Sequence, residues 1–190
     1  MSRAYRVSVR ESLRRVLRGD DHIRTKIELL PVLPAEELAQ LLEQELGQRG
    51  FARDGNKLVR QNQNTTTTID PHSGEVTIAV GVETEVTLES EQSGWTDTDW
   101  GRDKANDIEA GLRQKAREEL QKGAQRRQEQ LSRIATEQLE RQIVAAQPEL
   151  DEIVNRVTAT ALKQKASQIG RIKELTEDPA SGNLTIVLEV

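Results

Sequence analysis

The chain has no cysteine, and that excludes disulfides, thiolate nucleophiles and cysteine-based zinc sites. Aromatic residues are almost as scarce: two tryptophans, one tyrosine and one phenylalanine among 190 residues. So few rings cannot supply the stacking platforms on which single-stranded nucleic acid is held. Only His22 and His72 offer imidazoles, and neither has a second histidine or an acid at ligand spacing on a helix. Long apolar runs are missing too. The stretch Ile143-Val144-Ala145-Ala146 is far too short to cross a bilayer, and the N-terminal arginines have no apolar segment behind them, so a cytoplasmic protein without a signal peptide is expected. Glycine-rich phosphate loops are absent, and Ser73 and Ser181 lack a nucleophile's surroundings, so neither a nucleotide site nor a catalytic residue is expected, nor any cofactor. The net charge of -5, from 31% charged residues of mixed sign, gives no support to nucleic acid or a membrane as partner.

What is abundant is helix-forming sequence. Residues 103–169 hold one proline and are otherwise rich in Glu, Gln, Lys, Arg, Ala and Leu. Since proline is tolerated in a helix's first turn, Pro148 is expected to start a second helix, giving two antiparallel helices joined at Gln147-Pro148. Ile108, Leu112, Ala116, Leu120 and Ala124 recur every fourth residue, and after six polar residues Leu131, Ala135, Leu139 and Ile143 resume the pattern. Four exceeds 3.6, so each run drifts around its helix. The second stripe is Leu150, Ile153, Val154, Val157, Ala161, Leu162 and Ile169. With rods of about 65 and 30 Å, the shorter covers only half the longer, and the run from Ile108 to Ala124 must find another surface. The β-domain, a second copy of the chain or another protein could supply it.

The flanks are β-structure by their alternation. Tyr5, Val7 and Val9, then Ile23, Ile27 and Leu29, alternate with polar residues around Gly19-Asp20-Asp21, which suggests a hairpin. Val9, Leu13, Val16 and Leu17 also fit a short helix over residues 11–18 closed by Gly19. A helix starting at Leu33-Pro34-Ala35-Glu36-Glu37, with Leu38, Leu41, Leu42, Glu45 and Leu46 on one face, ends at Gly50, and Phe51 anchors its exit. Asp54-Gly55-Asn56 reads as a turn, and the threonines at 65–68 as extended. Asp70-Pro71-His72-Ser73-Gly74 is echoed by Asp178-Pro179-Ala180-Ser181-Gly182, each a hairpin turn. Because two strands alone are marginal in water, the C-terminal hairpin is expected to join the N-terminal sheet. The expected fold is therefore α+β: a mostly antiparallel sheet domain of residues 1–92 plus 170–190, and an inserted, coiled-coil-like helical hairpin over residues 93–169.

Three functional readings follow. The first is a non-enzymatic protein-binding adaptor or scaffold, with Trp95, Trp100, Ile108, Leu112 and Leu120 as the contact surface and an unlike protein or a second copy as partner. The second is nucleic-acid binding through Arg3, Arg6, Arg10, Arg14, Arg15 and Arg18. The third is a metal-dependent enzyme using Asp97, Asp99 and Asp103, whose spacing is similar to calcium loops but lacks the distal glutamate of an EF-hand. More simply, Asp99 or Asp103 caps the long helix while the tryptophans pack its root.

The N-terminal run Tyr5-Arg6-Val7-Ser8-Val9-Arg10-Glu11-Ser12-Leu13, followed by Ile27-Glu28-Leu29-Leu30-Pro31-Val32-Leu33-Pro34 and Gln48-Arg49-Gly50-Phe51, resembles small accessory proteins of bacterial ternary systems. In those systems a MoxR- or FtsH-like AAA+ ATPase and a von Willebrand A protein act together in conflict or defence. The resemblance spans about the first 60 residues, holds no catalytic motif and carries over no site residues. It implies a non-catalytic adaptor whose motor is another chain, an AAA+ ATPase or von Willebrand A protein being the partner.

Overall fold

The computed structural model describes residues 4–97, 101–178 and 183–189. The fold is α+β. In chain order come β1 (Ala4–Lys26), α1 (Ala35–Gln48), β2 (Ala52–Asp54), β3 (Lys57–Asn62), β4 (Thr65–Ile69), β5 (Glu75–Asp97), α2 (Gly101–Ile169), β6 (Arg171–Asp178) and β7 (Asn183–Glu189). Five strands make one sheet in the order β1-β5-β4-β3-β2, and β6 and β7 pair as a second, two-stranded sheet. The C-terminal hairpin therefore does not join the N-terminal sheet as expected. Its Arg171↔Glu189 to Asp178↔Asn183 ladder is interrupted by a bulge between Ile172 and Glu174.

Two compact units divide the chain, Met1–Asp20 with Gly81–Ala135, and Asp21–Val80 with Thr136–Val190. In the first unit, residues 4–20 of β1 and 81–97 of β5 form a long two-stranded ribbon, with residues 101–135 of α2 laid along one face. The lengths match: seventeen strand residues span about 56 Å and thirty-five helical residues about 52 Å. The spacings match as well, because every second strand residue and every fourth helical residue both repeat at about 6 to 7 Å. This is the surface that the Ile108–Ala124 run needed. A twisted ribbon also explains the drift of about 40° per four-residue step, since a helix that follows such a ribbon must turn its apolar stripe with it.

Large and small residues interlock across that interface. Leu112, Ala116, Leu120, Ala124, Leu131 and Ala135 are buried on the helix, facing Val9 and Leu17 of β1 and the even-numbered residues of β5. Gly94 lies beneath Leu112 and Ile108, while Gly123 of the helix sits 3.3 Å from Leu88 when a Cβ is placed on it. Gly19 is the tightest point: a Cβ there would meet the Leu131 backbone and lie 2.6 Å from the Ser132 nitrogen. Gly19 thus serves close packing. It is neither a hairpin turn nor a helix stop, and β1 runs through it as one strand. Val9, Leu13 and Leu17 fitted a helix because a spacing of four also satisfies alternate strand positions.

The second unit is a more ordinary sheet with a helix on it. Pro34 precedes α1, Glu36 and Glu37 occupy its first turn, and Leu38, Ala39, Leu41, Leu42 and Leu46 are buried. Gly50 leaves the helix at φ +81°, and the buried Phe51 leads into β2. Strands β2 to β5 form successive antiparallel pairs, Arg53↔Leu58, Arg60↔Thr67 and Thr67↔Ile78 among them. The turn between β4 and β5 is held by Asp70, whose Oδ1 accepts from the His72 and Ser73 amides, and Gly74 closes it at φ +71°. Its echo at residues 179–182 lies outside the described residues.

The expected helical hairpin is not formed, since α2 runs unbroken through Pro148. Proline there removes the bond to the Val144 carbonyl, but Val144 is exposed, so water can satisfy the freed oxygen. Past the proline, Ile153, Val157, Ala161 and Ala166 are buried and continue the core of the second unit. Among the described residues, no helix is long and apolar enough to cross a membrane.

Candidate functional site

The second unit contains a groove of about 440 Å³ beside Pro148. Ile23 near the end of β1, Ile27 just past it, Ile78 from β5, and Ile143, Leu150 and Val154 from α2 line it. Lys26, Glu28, Gln147 and Asp151 stand among them as polar groups of both signs. The β1 side is fixed by the Ile27 amide, which donates to the Gly74 carbonyl at 2.8 Å. The same stretch of α2 is also held by a cluster of ions. Arg60 of β3 grips Glu149 with two parallel bonds of 2.7 Å, stacks 4.4 Å from the Phe51 ring centroid, and donates to the Arg49 carbonyl. Arg49 bridges Glu45 at 2.8 Å and Glu152 at 3.1 Å, and Arg156 pairs with Glu152 at 3.0 Å.

These pairs have electrostatic consequences. The bidentate bond from Arg60 holds the Glu149 carboxyl below its ordinary range, and burial opposes that only in part. Glu152 is likewise held down, by its bond to Arg49. Such a geometry anchors the post-proline segment of α2 to β3 and to the end of α1. Chemically it offers an apolar slot with charged edges, suited to one or two aliphatic or aromatic side chains of a protein partner.

The ribbon of the first unit presents a different surface. Its outer face carries Arg6, Arg10, Arg14 and Arg18 from β1 opposite Glu83, Glu85, Glu89 and Glu91 from β5. Arg10 meets Glu91 at 3.0 Å, Arg14 meets Glu85 at 2.6 Å, Arg18 meets Glu83 at 2.9 Å, and Arg6 donates to Ser93. Four arginines face four glutamates, so this outer face as a whole carries no net positive charge. On the inner face Ser90 and Gln92 both donate to the Glu119 carboxylate and hold its pKa below the ordinary value, and Glu11 pairs with Arg117 at 3.7 Å.

Of the expected contact residues, Trp95 is exposed and Ile108 half-buried, while Leu112 and Leu120 are buried within the first unit against the chain's own ribbon. Leu112 and Leu120 are therefore covered by the chain's own ribbon in this structure. Trp100, Asp99 and the side chain of Asp103 lie outside the described residues, as does Arg3. His22 and His72 sit in the second unit, and His72 approaches Glu36 at 3.8 Å. The groove and the ion cluster went unrecognised in the sequence. Ile143, Leu150 and Val154 were visible as helix stripe, but nothing local links Arg60 to a glutamate 89 residues away.

One family model, described as FtsH ternary system domain X5, matches residues 1–190. No curated protein and no solved structure matches the chain.

Proposed function

Since the chain belongs to the family of FtsH ternary system domain X5, we propose that it is a protein-binding adaptor in an FtsH-associated system, engaging an FtsH-like AAA+ ATPase or its von Willebrand A companion. The groove of the second unit carries this reading. Six aliphatic side chains converge there, and Ile23 is 37% exposed. A partner side chain entering it would bury apolar surface on all sides, which is how a small patch comes to dominate an interface.

The test is a titration of the purified chain with the ATPase and, separately, with the von Willebrand A protein of the same system. Binding by the wild type and a loss of about tenfold or more for Ile143→Asp supports the reading, because a buried charge at a contact centre costs at least that much. Val144→Asp, one position along the helix and 73% exposed, should bind like the wild type. Absence of wild-type binding to either partner, or equal binding by Ile143→Asp, overturns it.

A further inference from the structure

Strand β1 is 23 residues long and stands at the end of the strand order, hydrogen-bonded to β5 alone among the described strands. Its far edge in the first unit is therefore a row of backbone donors and acceptors with no strand beside it. Such an edge pairs with any compatible chain unless something prevents it. The side chains decide what is compatible. On the outer face Arg6, Arg10, Arg14 and Arg18 recur every fourth residue, about 13 Å apart, with Ser8, Ser12 and Val16 between them.

These arginines are not used up by β5. Arg10, Arg14 and Arg18 each reach a glutamate through one nitrogen and remain 72%, 73% and 67% exposed. A guanidinium has five N–H donors in a planar fork, so each can serve a carboxylate on either side. A second copy of β1 laid antiparallel with Arg10 opposite Arg14 would set arginine against arginine along the edge, and like charges directly opposite disfavour that pairing. A strand with carboxylates on alternate residues meets the opposite condition. β5 shows that such a strand suits this column, with Glu83, Glu85, Glu89 and Glu91 interleaved with Thr84, Val86, Leu88 and Ser90.

We propose that the free edge of β1 is a docking site for an acidic, extended segment of a partner protein, which adds to the ribbon as a third strand. The occupant has Glu or Asp at alternate positions and β-branched or aliphatic residues between. This deepens the protein-binding reading by naming the chemistry of one partner segment, but it uses the first unit and not the groove. The inner face of the added strand would continue the apolar surface that α2 already covers in part. Its outer face would complete a stripe of glutamate, arginine and glutamate across three strands.

The experiment uses the full chain and a fluorescein-labelled peptide with the sequence of residues 81–93, followed by anisotropy and by amide hydrogen exchange. Saturable binding is expected, with new protection of alternate amides between residues 5 and 16. Replacing the peptide's four glutamates by glutamine should weaken binding about tenfold, the sum of several modest cross-strand charge pairs. Two further peptides, N-methylated on the even or on the odd residues, separate strand pairing from simple charge attraction: one should lose binding and the other keep it. Ile143→Asp, which removes the groove contact, should bind the acidic peptide like the wild type, so that failure of the groove and failure of the edge are told apart. No binding, equal binding by both N-methylated peptides, indifference to the glutamine replacement, or protection that falls outside β1 would each overturn the proposal.

Discussion

Arg60 shows how much a single side chain can organise. It closes a two-bonded pair with Glu149, caps the Arg49 carbonyl and lies over Phe51, so strand, helix terminus and long helix meet on one guanidinium. Removing it leaves Glu149 about two-thirds buried without its partner, and Arg60→Ala is expected to cost about 2 kcal/mol in chemical denaturation at neutral pH. A double-mutant cycle with Glu149→Gln should recover much of that as coupling. The pH dependence has a definite sign. Glu149 binds its proton less readily when folded than at its ordinary 4.5, so the coupling is complete above that value and fades as pH falls through the lowered folded one. Repeating the cycle near pH 3 should give a smaller coupling, and an unchanged or larger one would contradict the geometry. None of this was legible in the sequence, because an ion pair between residues 60 and 149 leaves no local trace.

At the scale of elements, the ribbon and its helix were half legible. The every-fourth-residue run on α2 was plain, and so was its need for a surface. What was not plain is that β1 and β5 are each 23 residues long, since a spacing of four reads equally as helix and as alternate strand positions. Pro148 was read as a helix start because its cost inside a helix is about 3 kcal/mol, and only the exposure of Val144 shows how that cost is limited. Strict alternation along β5 makes a prediction. Deleting Glu89 alone reverses the facing of every residue after it, turning Glu91 and Trp95 toward α2 and Ser90 and Thr96 away. Deleting Glu89 and Ser90 together restores the alternation, at the cost of the Ser90 bond to Glu119 and a one-rung shift of the residues that follow. Hydrogen exchange on α2 residues 112–131 should collapse in the first variant and persist in the second.

For the whole molecule, the chain passes between the two units three times, within β1, β5 and α2, so neither unit is a contiguous segment. A chain ended after Ala135 keeps every residue of the first unit and loses Ile153 and Val157 from the core of the second. Protection of the ribbon amides is expected to survive that truncation while protection of α1 falls to that of an unsupported helix. Equal loss in both would mean that the first unit depends on the second. The α+β class was legible from alternating flanks around a long helical middle, and so were α1 and the turn at Asp70–Gly74. The separateness of β6 and β7 was not, because a two-stranded pair carries no mark in its sequence of which edge it will meet.

Gly19 presses against the backbone of Leu131 at a place where neither chain can retreat without unseating the helix from the ribbon. In a saturation library its position would keep one surviving amino acid. Natural drift there would be confined to the third base of the codon.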